Sequence, residues 1–365
     1  MEVKVLSSEI TDRIVTEYQL LDLYSISLNE WEIEKKVINT WEVGSKTPNG
    51  EIAVTPLFQV KVWLKSKKEV IELEQIRQDF IEDIKKLSPV VKFKHARNYT
   101  EKNPVVVELD IFDLHLGKLS WDAEVGHSYN TEIASKIFND AVDYFIESTK
   151  HLNIEKFLLP VGSDLFHYDN STPYNSTTKG TPQDTDGVPW QDLFRRGRQL
   201  LIENIDKLKE IAPVDVVSLV GNHDETKIYY LNDSLYSWYH NDENVNVDNG
   251  PSPRKYYHYG VNLIGLTHGN KEKISNLPLI MASEVGTLWS ITSNREFHIG
   301  HLHTKREIEY RPTDEYNGVI IRHMSSLSGT DSWHKSRGYV GNRRAAECYV
   351  LDKEKGTTQI INYII

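Results

Sequence analysis

The feature that most constrains this chain is a set of five short polar clusters, each placed where an apolar run stops. They are Asp113-Leu-His115, Gly162-Ser-Asp164, Gly221-Asn-His-Asp224, Thr267-His-Gly269 and Gly300-His-Leu-His303. The apolar runs that precede them, at residues 105–112, 157–161, 214–220, 261–267 and 297–299, have the length and composition of buried strands. Amphipathic stretches at 131–149 and 191–211 separate the first three runs and read as helices. Strand and helix in alternation make an α/β domain, and in such a sheet the carboxyl ends of the strands share one edge. Side chains from five distant segments are therefore expected to meet there.

Further strands are expected at 318–323 and in a closing hairpin, 347–351 with 358–365, as parts of a second and more antiparallel sheet. The expected fold of residues 104–365 is α/β, with two packed mixed β-sheets flanked by helices in a four-layer α/β/β/α sandwich. Residues 171–190 are too long and too rich in Thr, Ser, Pro, Gly and Asp for an ordinary connection, and read as a lid. Ahead of this domain, residues 65–103 read as a charged helical connector. Residues 1–64 read as a small α+β domain, with a helix-like stretch at 11–23, a strand at 57–64, and Trp31, Trp41 and Trp63 expected in its core.

Composition narrows the function classes. No window approaches the roughly 18 consecutive apolar residues of a membrane span, so no membrane partner is expected. Cys348 is the only cysteine, which excludes an intrachain disulfide and points to a reducing, cytoplasmic setting. The net charge of -11 argues against a general polyanion-binding surface, although divalent ions held in a site reverse the local field. A homo-oligomer stays open.

Carboxylate, imidazole and amide oxygen in one mixture suit a borderline-to-hard divalent ion, and without cysteine a thiolate zinc site is excluded. If the Asp-x-His and His-x-His segments continue their strands, both flanking side chains of each point to one face. Asp113 and His115, and likewise His301 and His303, then reach one pocket. His95, His127, His151, His240, His258 and His298 have no ligand companions at suitable spacing and read as structural. Asp110 lies inside an apolar run without a histidine two residues on, and is left outside the site. Asp224 reads as a turn residue.

The order of the five clusters resembles the calcineurin-like metallophosphoesterases over about residues 105–330. Asp113-Leu-His-Leu-Gly117 and Asp164-Leu-Phe-His167 are most similar to the SbcD-type DNA-repair nucleases. Residues 177–184 and 326–334 are similar to uncharacterised phosphoesterases encoded by bacteriophages, which would place the chain in a host cytoplasm. One departure is that Ser163 splits the usual Gly-Asp. The resemblance implies two divalent metal ions, Mn before Fe, Zn or Ni, bridged by Asp164. Asp113, His115 and His303 would complete one site, and Asn222, His268 and His301 the other. It implies His223 over the scissile phosphate and His167 beside the nucleotide at the mouth of the site. The reaction implied is hydrolysis of phosphodiester bonds by a metal-bridging hydroxide, since two ions can clamp both attacking and leaving oxygens. Nucleic acid is the implied substrate and exonuclease the implied activity, with a cyclic-nucleotide or nucleotide-pyrophosphate hydrolase as the alternative. Arg195, Arg196 and Arg198 open the helix after the lid and offer guanidinium groups to phosphate oxygens.

Overall fold

The structure is a computed structural model that describes residues 3–66, 103–170, 183–301, 313–338, 341 and 343–365. The expected helix within 65–103, most of the lid, and His303 fall outside the described residues. The chain divides into two compact units, Met1–Lys86 and Leu87–Ile365.

In the first unit three antiparallel strands run in the order β1 (Val3–Ser7), β3 (Ile52–Ser66), β2 (Trp31–Lys46). Helix α1 (Glu17–Leu23) covers one face through Leu20 and Leu21, which pack with Leu6, Val60, Val62 and Leu64. The helix is shorter than the apolar spacing predicts. Thr16 is extended and its hydroxyl accepts from the Gln19 amide while Gln19 reaches back, a capping box that fixes the start. Thr11, at the expected start, instead pairs with Phe58. β1 covers only residues 61–65 of β3, so the far halves of β2 and β3 form a two-stranded ribbon turned at Gly50, whose φ of 85° a side chain would resist. The tryptophans divide: Trp31 is half-buried and packs against this core, Trp63 is half-buried under Lys35, and Trp41 is exposed on the ribbon.

The second unit is a four-layer α/β/β/α sandwich. A six-stranded sheet has the order β14-β13-β4-β5-β6-β7, with β4 (Val105–Asp110), β5 (Ile154–Gly162), β6 (Val214–Leu219) and β7 (Val245–Asp248) parallel. β13 (Ala345–Asp352) and β14 (Gly356–Ile364) add antiparallel strands at one edge. The closing hairpin thus joins the first sheet and not the second. The second sheet has the order β11-β12-β10-β9-β8. Its middle strands β9 (Asn262–Thr267), β10 (Asn294–Ile299) and β12 (Val319–His323) are parallel, and only the edges β8 (Lys255–Tyr259) and β11 (Thr313–Tyr316) are antiparallel. Both sheets are thus mixed, as expected, and the second has the larger antiparallel share, two of four ladders against two of five.

Alternation along the strands sorts the cores. Leu109, Phe145, Leu159, Leu201, Ile205 and Leu235 pack the first sheet against α2 (Thr131–Thr149), α3 (Trp190–Lys209) and α4 (Glu225–Tyr239). Val106, Leu158, Leu219, Ile264, Leu266 and Tyr349 lie between the sheets. Leu263, Phe297 and Ile299 face α5 (Leu277–Glu284) and the neighbouring α6 (Gly286–Ile291). Each such side chain contributes about 1.5–3 kcal/mol on burial, and this packing fixes where the ends of β4, β5, β6, β9 and β10 lie. α2 spans the residues its sequence periodicity predicts, and its start is fixed by Asn130, which accepts from the Ile133 amide at the N-cap.

Candidate metal centre

The first cluster is not a continuation of β4. The ladder ends at Asp110, and Asp113 and His115 both have left-handed backbone, φ 53° and 52°. Ser163, Asp164 and His301 share that conformation, with φ of 49°, 64° and 67°. For residues with a Cβ this backbone is uncommon, and its concentration here marks loops held in place by their surroundings. The holding bonds run loop to loop. The Asp113 amide donates to the Ser163 carbonyl, the His115 amide to the Asp164 carbonyl, and the Ser163 amide to the Leu219 carbonyl. The strand-face argument for Asp113 and His115 therefore fails, yet both side chains reach the site through turns.

Two glycines let the loops close on the carboxylates. A Cβ on Gly221 would lie 2.0 Å from Asp164 Oδ1, and one on Gly300 would lie 2.9 Å from Asp113 Oδ2. No side chain fits either place.

Asp164 is the centre of the arrangement. One of its oxygens accepts from the His223 amide at 2.8 Å, and the other lies 3.2 Å from His268 Nε2. His268 Nε2 is also 2.8 Å from Asn222 Oδ1, and its Nδ1 is 2.8 Å from Ser163 Oγ. The residue that splits the expected Gly-Asp thus orients a ring of the site, which its sequence position alone does not reveal. The His301 amide donates to Asp113 Oδ2, and the His301 and His268 rings meet edge to face at 4.9 Å. Two groups of potential ligand atoms, each within 4.8 Å, overlap at Asp164: Asp113-His115-Asp164 and Asp164-His268-His301.

The electrostatics follow from burial and crowding. Burial raises the Asp113 carboxyl, to about 7, against the pull of His268. Burial also opposes charge on Asp164 and His268, but their mutual attraction wins. The Asp164 carboxyl is held well below the usual range and the His268 imidazole is pushed up to about 9. Burial, with His268 nearby, lowers His301 to about 4. A site that keeps one carboxylate ionised and a neighbouring imidazole neutral near pH 7 offers donors that a divalent ion takes.

His223 and His167 form a stacked pair, 5.4 Å apart and 16° from parallel. His223 Nδ1 donates to the His167 carbonyl at 2.8 Å, which leaves Nε2 as the free acceptor. His167 does not stand at the mouth: it is fully buried, its Nδ1 is 3.2 Å from His115 Nδ1, and its Nε2 has no hydrogen-bond partner among the described residues. Burial holds both rings below the ordinary histidine range. Asp224 is no simple turn residue. It is buried and accepts from the Gly221 and Phe166 amides, tying the loop after β6 to the loop after β5. Lys118, also unforeseen, is buried beside Asp331 at 3.2 Å and donates to the Gly329 carbonyl. Arg195, Arg196 and Arg198 are exposed on α3, where Arg196 pairs with Asp192, and no described contact joins them to the centre.

A second buried group corrects the reading of Asp110 and His298. Glu108 and Asp110 on β4 and His298 on β10 meet between the sheets, with His298 Nδ1 3.0 Å from Glu108 and 2.8 Å from Asp110. His298 therefore has companions. Their signal was the alternation of Glu108 with Asp110, and of Glu296 with His298, inside strands buried on both faces.

No family model matches the chain, and no curated protein matches it either. Among solved structures it is similar to a Vps29 double mutant from Entamoeba histolytica, at 14% identity over 71% of this chain and 99% of that one, with a TM-score of 0.29. A superposition that loose carries no weight; the fold rests on strand order and the site on its own geometry. No helix among the described residues is long and apolar enough to cross a membrane.

Proposed function

We propose that this chain is a two-metal phosphoesterase of the calcineurin-like kind, acting on phosphodiester bonds, with nucleic acid as its substrate and Mn as its metal. The observation that carries the reading is the position of Asp164 in both groups of ligand atoms, the relation a shared carboxylate has to two neighbouring ions. Asp113 and His115 would serve one ion with His303, and Asn222, His268 and His301 the other. Bound divalent ions supply Lewis acidity for the phosphate and a water acid enough to ionise near neutral pH.

The chain's own residues do the rest. His223, its Nδ1 proton fixed on the His167 carbonyl, turns Nε2 toward the reacting groups, where it can take up a proton and, once protonated, donate to a phosphate oxygen or a leaving group. His167 positions His223 and His115 from beneath, so its burial removes one argument for a residue that touches a nucleotide. That burial favours a second reading, a small-molecule phosphodiesterase.

One assay decides both. Pure protein, stripped with chelator and resupplied with Mn²⁺, is given single- and double-stranded DNA beside cyclic nucleotides and bis-p-nitrophenyl phosphate. Turnover that appears only with metal is the expected result, and DNA cleaved faster than the small diesters supports the nuclease. Full activity in chelator without metal would sink the two-metal reading.

A further inference from the structure

The cluster between the sheets has the form of an additional cation site. Glu108 and Asp110 are successive inward-facing positions of β4, and Glu296 and His298 the same on β10, so both pairs face the slot between the two sheets. Both carboxylates approach one atom, His298 Nδ1, at 3.0 and 2.8 Å. A single N–H serves one acceptor well. Here it would be shared by two, while Glu108 Oε2 and Asp110 Oδ1, fully buried, have no hydrogen-bond partner among the described residues. Leaving such oxygens dry is costly, and more so for charged groups.

The other ring nitrogen is already supplied. His298 Nε2 is 3.3 Å from Glu296 Oε2, and Glu296 is itself held by Arg322, Asn294 and Thr357. A ring whose one nitrogen donates to a fixed carboxylate presents the other as a lone pair, the arrangement by which proteins orient metal-ligating histidines. Ligand atoms about 2.1 Å from an ion and at right angles lie about 3.0 Å apart, which matches the two distances. Charge points the same way. Among the described residues the carboxyls of Glu108, Asp110, Glu296 and Glu347 gather around His298 and Arg322. Burial, with this crowding, raises the Asp110 and Glu347 carboxyls, and a divalent cation would relieve it.

We infer that Glu108, Asp110 and His298 Nδ1 bind one divalent transition-metal ion between the sheets, distinct from the centre around Asp164. Carboxylate and imidazole together favour Mn, Fe or Zn over Mg. Because the ligands come from β4 of one sheet and β10 of the other, the ion would clamp the layers together just below the loops that carry Asp113 and His301.

The probe is Mn²⁺ alone. The full chain is loaded, desalted, and its Mn counted by mass spectrometry, as parent, Glu108→Gln and Asp110→Asn, each also in an Asp164→Asn background. Loss of about one Mn per chain on either substitution, in both backgrounds, is expected. Equal Mn in parent and variants overturns the inference and leaves an imidazolium shared by two carboxylates. Should both variants fail to fold, crystals of the parent grown with Mn²⁺ decide it. An anomalous peak beside His298 Nδ1 supports the site, and its absence there, with peaks around Asp164, overturns it.

Discussion

β4 and β10 each carry two kinds of polar chemistry, three residues apart. Asp110 and His298 sit on the ladder, with regular strand backbone and side chains turned into the slot between the sheets. Asp113 and His301 lie just past the ladder, on backbone of positive φ, with loops folded around them and Gly300 closing tightly on Asp113. The difference separates closure from access. A residue on a central strand is walled in by both neighbours, so what it binds is part of the structure. A residue past the strand end can face a cleft that a substrate enters, but only where strained backbone and missing side chains make room.

The sharpest way to break this comparison is to treat the two clusters' residues as equivalent. Asp164→Asn should abolish metal-dependent turnover and cost metal, because it removes the anion common to both ligand groups. His223→Ala should keep its metal while turnover falls by on the order of 10²- to 10⁴-fold, the range for one proton-transfer or charge-stabilising group. Metal content of the two purified variants tells them apart. Equal metal loss in both would make His223 a ligand.

The glycines offer a milder test. Gly221→Ala places a methyl group 2.0 Å from Asp164 Oδ1 and 2.4 Å from its amide, whereas Gly286→Ala, at the start of α6, meets nothing within 4 Å. The first should lose about 1–3 kcal/mol of stability by overpacking together with metal affinity, and the second should lose neither. Chemical denaturation with and without Mn²⁺ measures both. An unaffected Gly221→Ala would mean that the loops have slack.

A further test is in pH. His268 is raised to about 9 by Asp164, so below that pH it must surrender a proton to bind metal. Apparent Mn²⁺ affinity at the Asp164 centre should rise about tenfold per pH unit toward 9. Below about 7, where Asp113 must also ionise, the slope should steepen. A flat titration from pH 6 to 9 would show that neither proton is displaced.

Much of this was legible because chemistry and periodicity coincide. The strands of the sandwich announce themselves as apolar runs, and Asp113, His115, Asp164, Asn222, His223, His268 and His301 stand where those runs end. What stayed hidden depends on partners remote in sequence. Nothing local distinguishes Ser163 as the hydrogen-bond partner of His268, or Lys118 as a buried cation. Alternating Glu108 and Asp110 look like any half-exposed strand until the second sheet covers them. In the first unit, α1 was overextended because apolar spacing says nothing of the Thr16 cap. The exposure of Trp41 follows from a ribbon that runs beyond the strand segment on which α1 packs.

The pairing of β13 with β4 also sets an order of events. Glu347 lies opposite Asp110, so the strand from which Asp113 hangs gains one of its two neighbours only from the chain's closing hairpin. During synthesis β4 can pair with β5 early, but its other edge stays open until residues 345–352 emerge. Pairings so distant in sequence make for slow folding, and an unpaired apolar edge invites association with other chains in the meantime. A nascent chain halted before β13 should therefore be the aggregation-prone species.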